Sequence, residues 1–136
     1  MVGQSRRAAK GRRLISADTS SLRRFFEGEP GPDTAAVEAA LEAGELRVVP
    51  VVVLELLSDP LLPARYLAPI RALLPLPLLD GVWDRAGLLR AELRRRALKA
   101  GVPDVLIAQS CIDANIPLIT YDRHFRHFEI AGLQLV

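Results

Sequence analysis

One cysteine, Cys111, in 136 residues leaves no internal disulfide and no thiol cluster for zinc. Nothing therefore ties the chain to an oxidising compartment, and a reducing cytoplasm is the expectation. Histidine is nearly as scarce, with His124 and His127 alone, and their three-residue spacing is a weak metal signal. No apolar run reaches the ~18 residues that a membrane-spanning helix needs. The greasiest stretches, residues 48–57 and 73–79, are broken by Glu55 or by prolines. The N-terminus carries bases but no following signal-peptide core. Internal repeats are absent, and the sequence predicts a single-domain, soluble protein.

Half of the residues are hydrophobic and 25% are charged, enough to bury a core and unlike the composition of a disordered chain. The net charge of +2 hides an asymmetry. Residues 1–13 hold five of the 18 bases and none of the 16 acids, so the body from residue 14 to 136 has a net charge of −3. The segment 1–13 lacks apolar periodicity and reads as a basic, flexible arm, either simply solvated or weakly phosphate-binding.

Short apolar runs alternate with amphipathic stretches along the body. Strands are predicted over residues 14–17, 46–49, 76–79, 118–120 and 133–136. Helices are predicted over 19–26, 33–43 with Asp33 as N-cap, 51–57, 82–100 and 104–114. A proline-punctuated helical stretch covers 60–74, and a helical turn covers 122–128. This alternation predicts an α/β fold, a three-layer α/β/α sandwich around a short, mostly parallel sheet.

Ligands of such sheets bind beyond the carboxyl ends of the strands, so the polar residues at those ends matter most. Asp18 follows the first strand, and Asp122 follows the fourth after Thr120 and Tyr121. Asp104 opens a helix that runs down the sheet before a strand returns to the same edge, so it shares that edge with Asp122. Glu55 approaches from the helix that leaves the second strand. Singly, each acid has a simpler use: Asp18 as a helix N-cap, Asp104 as a favourable first-turn charge, Asp122 as a turn residue, Glu55 as an exposed position on a short helix. Yet Glu55 lies within VVVLELL, where an ionised group needs a partner.

Carboxylates gathered in this way repel one another unless a cation neutralises them. All-oxygen ligation suits Mg²⁺ or Mn²⁺, whereas zinc would want His or Cys. Such a site is equipped for phosphodiester hydrolysis. Arg85, Arg90, Arg94, Arg95, Arg96 and Lys99 line the long helix with only Glu92 against them over residues 85–99, and Arg94, Arg95 and Arg96 are the candidate contacts for a polyanionic substrate. An ordinary solvated face is the alternative. Trp83 and Cys111 fall on helix faces and are expected in the core.

Four stretches, LISADTSSL at 14–22, VVLELL at 52–57, VPDVLIAQSC at 102–111 and IPLITYDRHF at 116–125, together resemble the PIN-domain ribonucleases, specifically the VapC-type toxins of type II toxin–antitoxin pairs. They span nearly the whole chain in the family's order. The resemblance implies a Mg²⁺-dependent endoribonuclease, with Mn²⁺ able to substitute, whose catalytic acids are Asp18, Glu55, Asp104 and Asp122. It implies Asp18, Asp104 and Asp122 as metal ligands, Glu55 as an acid assisting metal or water, and Thr19, Ser20 and Thr120 as supporting hydroxyls. It further implies an RNA substrate, a small antitoxin laid across the acidic cleft, and a homodimer. The chain departs from the pattern at His124, where an acid is common, and in its basic tail.

Two other readings compete. An aspartyl-phosphate phosphatase would want a second Asp where Ser20 sits, and a receiver-like domain would want a late lysine where the chain has only Lys99. A catalytically inert PIN-like module binding protein or RNA is the other.

Overall fold

The computed structural model describes residues 13–136. The basic arm read at residues 1–13 thus falls outside the described residues except for Arg13, whose backbone N–H donates to Glu45 Oε2 at 2.9 Å.

The strands are short. β1 (Ser16–Ala17) pairs in parallel with β2 (Leu118–Ile119), Ser16 opposite Leu118 and Ala17 opposite Ile119. Isolated parallel bridges extend this pair: Ile15 to Leu46, Val48 to Pro75, and Leu118 to Leu135. Five extended segments therefore lie side by side in the order 75, 46–48, 15–17, 118–119, 135, all parallel. The chain builds outward from β1 to one side and then crosses to the other, which makes the β1–β2 boundary the topological switch point of the sheet.

The expected strand over 46–49 shrinks to two isolated bridges, at Leu46 and Val48, and that over 133–136 to one at Leu135, while the strand expected over 76–79 is replaced by a single bridge one residue earlier, at Pro75. Proline is one cause: Val48 bonds to Leu74 O and accepts from Leu76 N around Pro75, and Pro77 has no N–H to continue the ladder. What remains is buried on both faces, with Ala17, Leu118 and Ile119 inaccessible to solvent, as parallel strands under two helical layers require.

The helices are α1 (Thr19–Phe26), α2 (Pro32–Ala43), α3 (Pro50–Leu57), α4 (Leu67–Arg71), α5 (Val82–Arg95) and α6 (Val102–Ala114). A 3₁₀ turn at Ala64–Tyr66 precedes α4, and a 3₁₀ segment, Arg123–Ala131, follows the site loop. Helix α1 packs on α2 and α3, α5 packs on α6, and α3 touches α6. This is the α/β/α sandwich that the alternation predicted, with the sheet reduced to its centre. No helix among the described residues is long and apolar enough to cross a membrane.

Local chemistry sets several boundaries. Asp33 does not cap α2. Gly31 holds that position at φ 154°, Pro32 takes the first helical place, and Asp33 is buried against Arg24. Helix α5 stops at Arg95 rather than continuing to residue 100. Ala97 enters the left-handed region at φ 58°, and Leu98 N–H folds back onto Leu93 O at 2.9 Å, which tucks Leu98 against the core. Trp83, expected inside, is 67% exposed, because its position on α5 lies at the rim of the groove shared with α6. Cys111 is buried as expected, and burial pushes its thiol up to about 12, which removes it as a nucleophile.

Candidate active site

Asp18 is the first residue past the carboxyl end of β1, and Thr120 is the first past β2. The parallel register therefore sets them side by side, and Thr120 Oγ1 donates to Asp18 Oδ2 at 2.7 Å. Asp18 also caps α1: its Oδ1 accepts from Ser21 N–H at 3.0 Å. The Ser20 hydroxyl bridges both carboxylate oxygens at 2.9 Å. Capping and site membership coexist in one side chain that is 2% exposed. Burial pushes the Asp18 carboxyl above its ordinary range, and the hydrogen bonds from Thr120, Ser21 and Ser20 pull it part of the way back.

Glu55 sits in the second turn of α3, half-buried, and its Oε1 accepts the Thr19 hydroxyl at 2.5 Å. A residue adjacent to Asp18 thus fixes the acid on the neighbouring helix. This hydroxyl is the partner that a carboxylate amid VVVLELL needed. Asp104 lies in the first turn of α6, behind Gly101 as N-cap and Pro103, where the helix dipole favours negative charge. Its carboxyl is nevertheless raised to about 6, by burial first and then by the charges of Asp122, Glu55 and Asp18. His124 is the one group pulling it down. The three neighbours acting on Asp104 are the other three acids named from the sequence, so each of them lies within electrostatic reach of Asp104.

Asp122 caps the 3₁₀ segment, its Oδ1 accepting from His124 N–H and meeting His124 Nδ1, both at 2.9 Å. Its own N–H donates to Thr120 Oγ1 at 2.9 Å. Phe125 and Phe128, each 1% exposed with ring centroids 5.6 Å apart, anchor the segment behind it in the core. Truncating either ring removes packing worth about 3–5 kcal/mol and would free the loop that carries Asp122. The two histidines do not form a metal pair: His127 Nδ1 faces Lys99 O at 3.1 Å.

Thr19, Ser20 and Thr120 are therefore brought together with Asp18 and Glu55. The arginines of α5 are not one functional group. Arg95 and Arg96 both hold Glu92. Arg85 pairs with Asp113, where burial pulls the carboxyl up and hydrogen bonds from Arg85 and Gln109 more than offset it. Arg90 donates to Ala100 O at 2.7 Å. Arg94 is exposed, beside Arg90 along the hollow that leads through residues 97–101 towards the start of α6. Arg24 and Tyr121, which the sequence reading did not single out, meet beside the acids of the site: the Arg24 guanidinium lies over the Tyr121 ring, 3.8 Å from its centroid.

Among the described residues, no group of three or more His, Cys, Asp or Glu side chains is placed to hold an ion as it stands. Asp104 sits in the field of the other three carboxylates rather than in a closed coordination cage with them. The donor set nonetheless fits a hard divalent cation. It is all oxygen, Cys111 is held apart by burial, and a cation would offset both the burial and the neighbouring negative charges that raise Asp104.

The model of the PIN domain matches residues 15–131, which takes in all four acids. The chain belongs to the PIN-domain family. Among solved structures, this PIN domain is similar to VapBC2 from Rickettsia felis bound to a promoter DNA fragment, with TM-score 0.65 and 20% identity over 90% of this chain and 97% of that one. It is similar to FitAcB from Neisseria gonorrhoeae, with TM-score 0.66 and 17% identity over 90% and 96% of the two chains. It is similar also to DNA-bound VapBC from Salmonella typhimurium, with TM-score 0.66 and 20% identity over 91% and 97%. At these identities the likeness is one of fold. No curated protein matches the chain in sequence.

Proposed function

We propose that this PIN domain is a divalent-metal-dependent endoribonuclease, the toxin of a type II toxin–antitoxin pair. The observation that carries the reading is the gathering of the acids about one sheet edge: Thr120 links Asp18 to Asp122, Thr19 beside Asp18 holds Glu55, and Asp104 is raised by burial and then by the charges of the other three. Asp18, Asp104 and Asp122 would hold the cation, Mg²⁺ or Mn²⁺ by its preference for oxygen, and the bound ion would polarise the phosphodiester and offset the charge that builds on it.

The chain's own groups do the orienting. Thr120, Ser20 and the Ser21 N–H fix the Asp18 carboxylate from three directions, so it would take up the cation without rearranging. Glu55 commits Oε1 to Thr19, which leaves Oε2 to take a proton from the attacking water. Water then adds across the P–O bond, and the leaving oxygen takes the balancing proton. Arg94, in the hollow that ends at Gly101, would hold the strand, whereas Arg95 and Arg96 would first have to release Glu92. A small antitoxin across the acidic edge, and pairing of two copies, complete the reading, supported by the fold shared with the VapBC complexes.

Purified protein incubated with RNA should cut it only when Mg²⁺ or Mn²⁺ is added. Asp104→Asn and Asp18→Asn should each lower the rate at least a hundredfold. Metal-independent cleavage, or variants as active as the parent, would defeat the assignment.

A further inference from the structure

We infer that the hollow beyond Asp122 is a nucleotide subsite, in which single-stranded RNA stacks one base on the open face of Tyr121 and lays its phosphates against Arg123 and Arg126. The subsite rests on the nuclease reading above and adds to it the path by which the strand leaves the acidic edge.

The hollow measures about 410 Å³ and is lined by Thr120, Tyr121, Asp122, Arg123, Arg126 and Glu129, among others. Thr120 and Asp122 belong to the site, so hollow and acidic edge are continuous. Tyr121 stands between them in sequence and is 60% exposed, whereas Phe125 and Phe128 of the same segment are buried. An exposed ring of this kind contributes little to the core, yet it is not loose. The Arg24 guanidinium backs one face, and Arg24 is itself fixed by Asp33, Nε to Oδ2 at 3.0 Å, and by Pro30 O at 2.8 Å. A ring braced on one side and open on the other is a stacking platform, and the cation behind it adds to its hold on a base.

Arg123 and Arg126 are exposed, and no ion pair among the described residues involves either. In this they differ from Arg85, Arg95 and Arg96, whose forks are occupied. Two unpaired guanidinium groups beside an aromatic platform match alternating phosphates and bases. Glu129 supplies an acceptor on the same wall for an exocyclic amino group of a base. Single-stranded RNA fits this arrangement better than a duplex, whose stacked bases cannot reach a side chain's face.

The test is fluorescence anisotropy of a 5′-fluorescein-labelled, unstructured heptameric RNA with the intact chain in EDTA, repeated over a range of salt. Tyr121→Phe should bind like the parent, and Tyr121→Ala should bind about tenfold more weakly with an unchanged salt slope. The Arg123→Gln, Arg126→Gln double variant should flatten the slope of log K against log salt by about 1.4, the value for two lost single-strand phosphate contacts. Calorimetric titration with Mn²⁺ should be the same for all of them. Parent-like binding by Tyr121→Ala, binding by Tyr121→Phe as weak as by Tyr121→Ala, or an unchanged slope in the double variant overturns the subsite. A parent that binds in the expected pattern yet never cuts RNA supports the subsite and contradicts the nuclease reading. A parent that cuts RNA with a KM indifferent to Tyr121→Ala contradicts the subsite alone.

Discussion

Replacing Asp104 with Asn should stabilise the metal-free protein at neutral pH, although it removes a negative charge from the first turn of a helix. The Asp104 carboxyl is raised from 3.8 to about 6, by burial and then by Asp122, Glu55 and Asp18. A folded-state value above the unfolded one means that the protonated form is the favoured one. The stabilising contribution of the group is full below pH ~4 and is lost as pH rises through ~6. At ~1.4 kcal/mol per unit, a shift of this size corresponds to about 3 kcal/mol. Partial solvent access reduces that to about 1–2 kcal/mol, because water screens the neighbouring charges. In a chain of this length, such a difference moves Tm by roughly 4–8 °C. Thermal unfolding in EDTA between pH 4 and 7.5 measures it. The parent should lose stability across the interval from 4 to 6, and Asp104→Asn should flatten that slope and unfold several degrees higher at pH 7. Equal melting of the two proteins at pH 7, or a less stable Asp104→Asn, would refute the claim that burial and the neighbouring acids disfavour the Asp104 charge in the metal-free state. Added Mn²⁺ should reverse the order, because a ligand that binds only the folded parent stabilises it by mass action.

Two further outcomes follow from the packing. Gly31→Ala should destabilise the protein by about 2 kcal/mol or more in urea unfolding, because φ is +154° there and a new Cβ would lie 2.7 Å from Asp33 Oδ1 and 3.0 Å from Arg24 Nη2. The same change should reduce RNA affinity if the Arg24 brace behind Tyr121 matters as argued. Cys111 should resist a thiol reagent in the native state and react fully in denaturant, since it is 1% exposed and its thiol is pushed up to about 12; fast native labelling would contradict the packing.

The parts legible in the sequence were those decided locally. Asp18 sits between a buried dipeptide strand and an amphipathic helix, so its place at a strand end follows from period and cap alone. The same holds for Asp104, which Gly101 and Pro103 confine to the first turn of α6. What periodicity could not supply was partnership at a distance. Thr120 reaches Asp18 across 102 positions because β1 and β2 pair in one register, and a shift by one residue would turn it to the other face. Asp33 read as an N-cap because its type suits one, yet Gly31 and Pro32 open the helix and release Asp33 to pair with Arg24. The arginine run of α5 read as one basic face. Only the packed structure shows that Asp113 on α6 takes Arg85 while Glu92 takes Arg95 and Arg96. Trp83 was misplaced because size and apolarity favour the core, whereas its position on α5 lies at the rim of a groove.

The central claim, that Asp18, Asp104 and Asp122 hold one cation beside Glu55 at the β1–β2 switch point, is tested most directly by calorimetric titration of Mn²⁺ into the parent and into Asp104→Asn at pH 7. Saturable binding to the parent, weakened at least tenfold in Asp104→Asn while the variant remains folded, is the predicted result. Absence of binding to the parent, or equal binding by the two proteins, would contradict it.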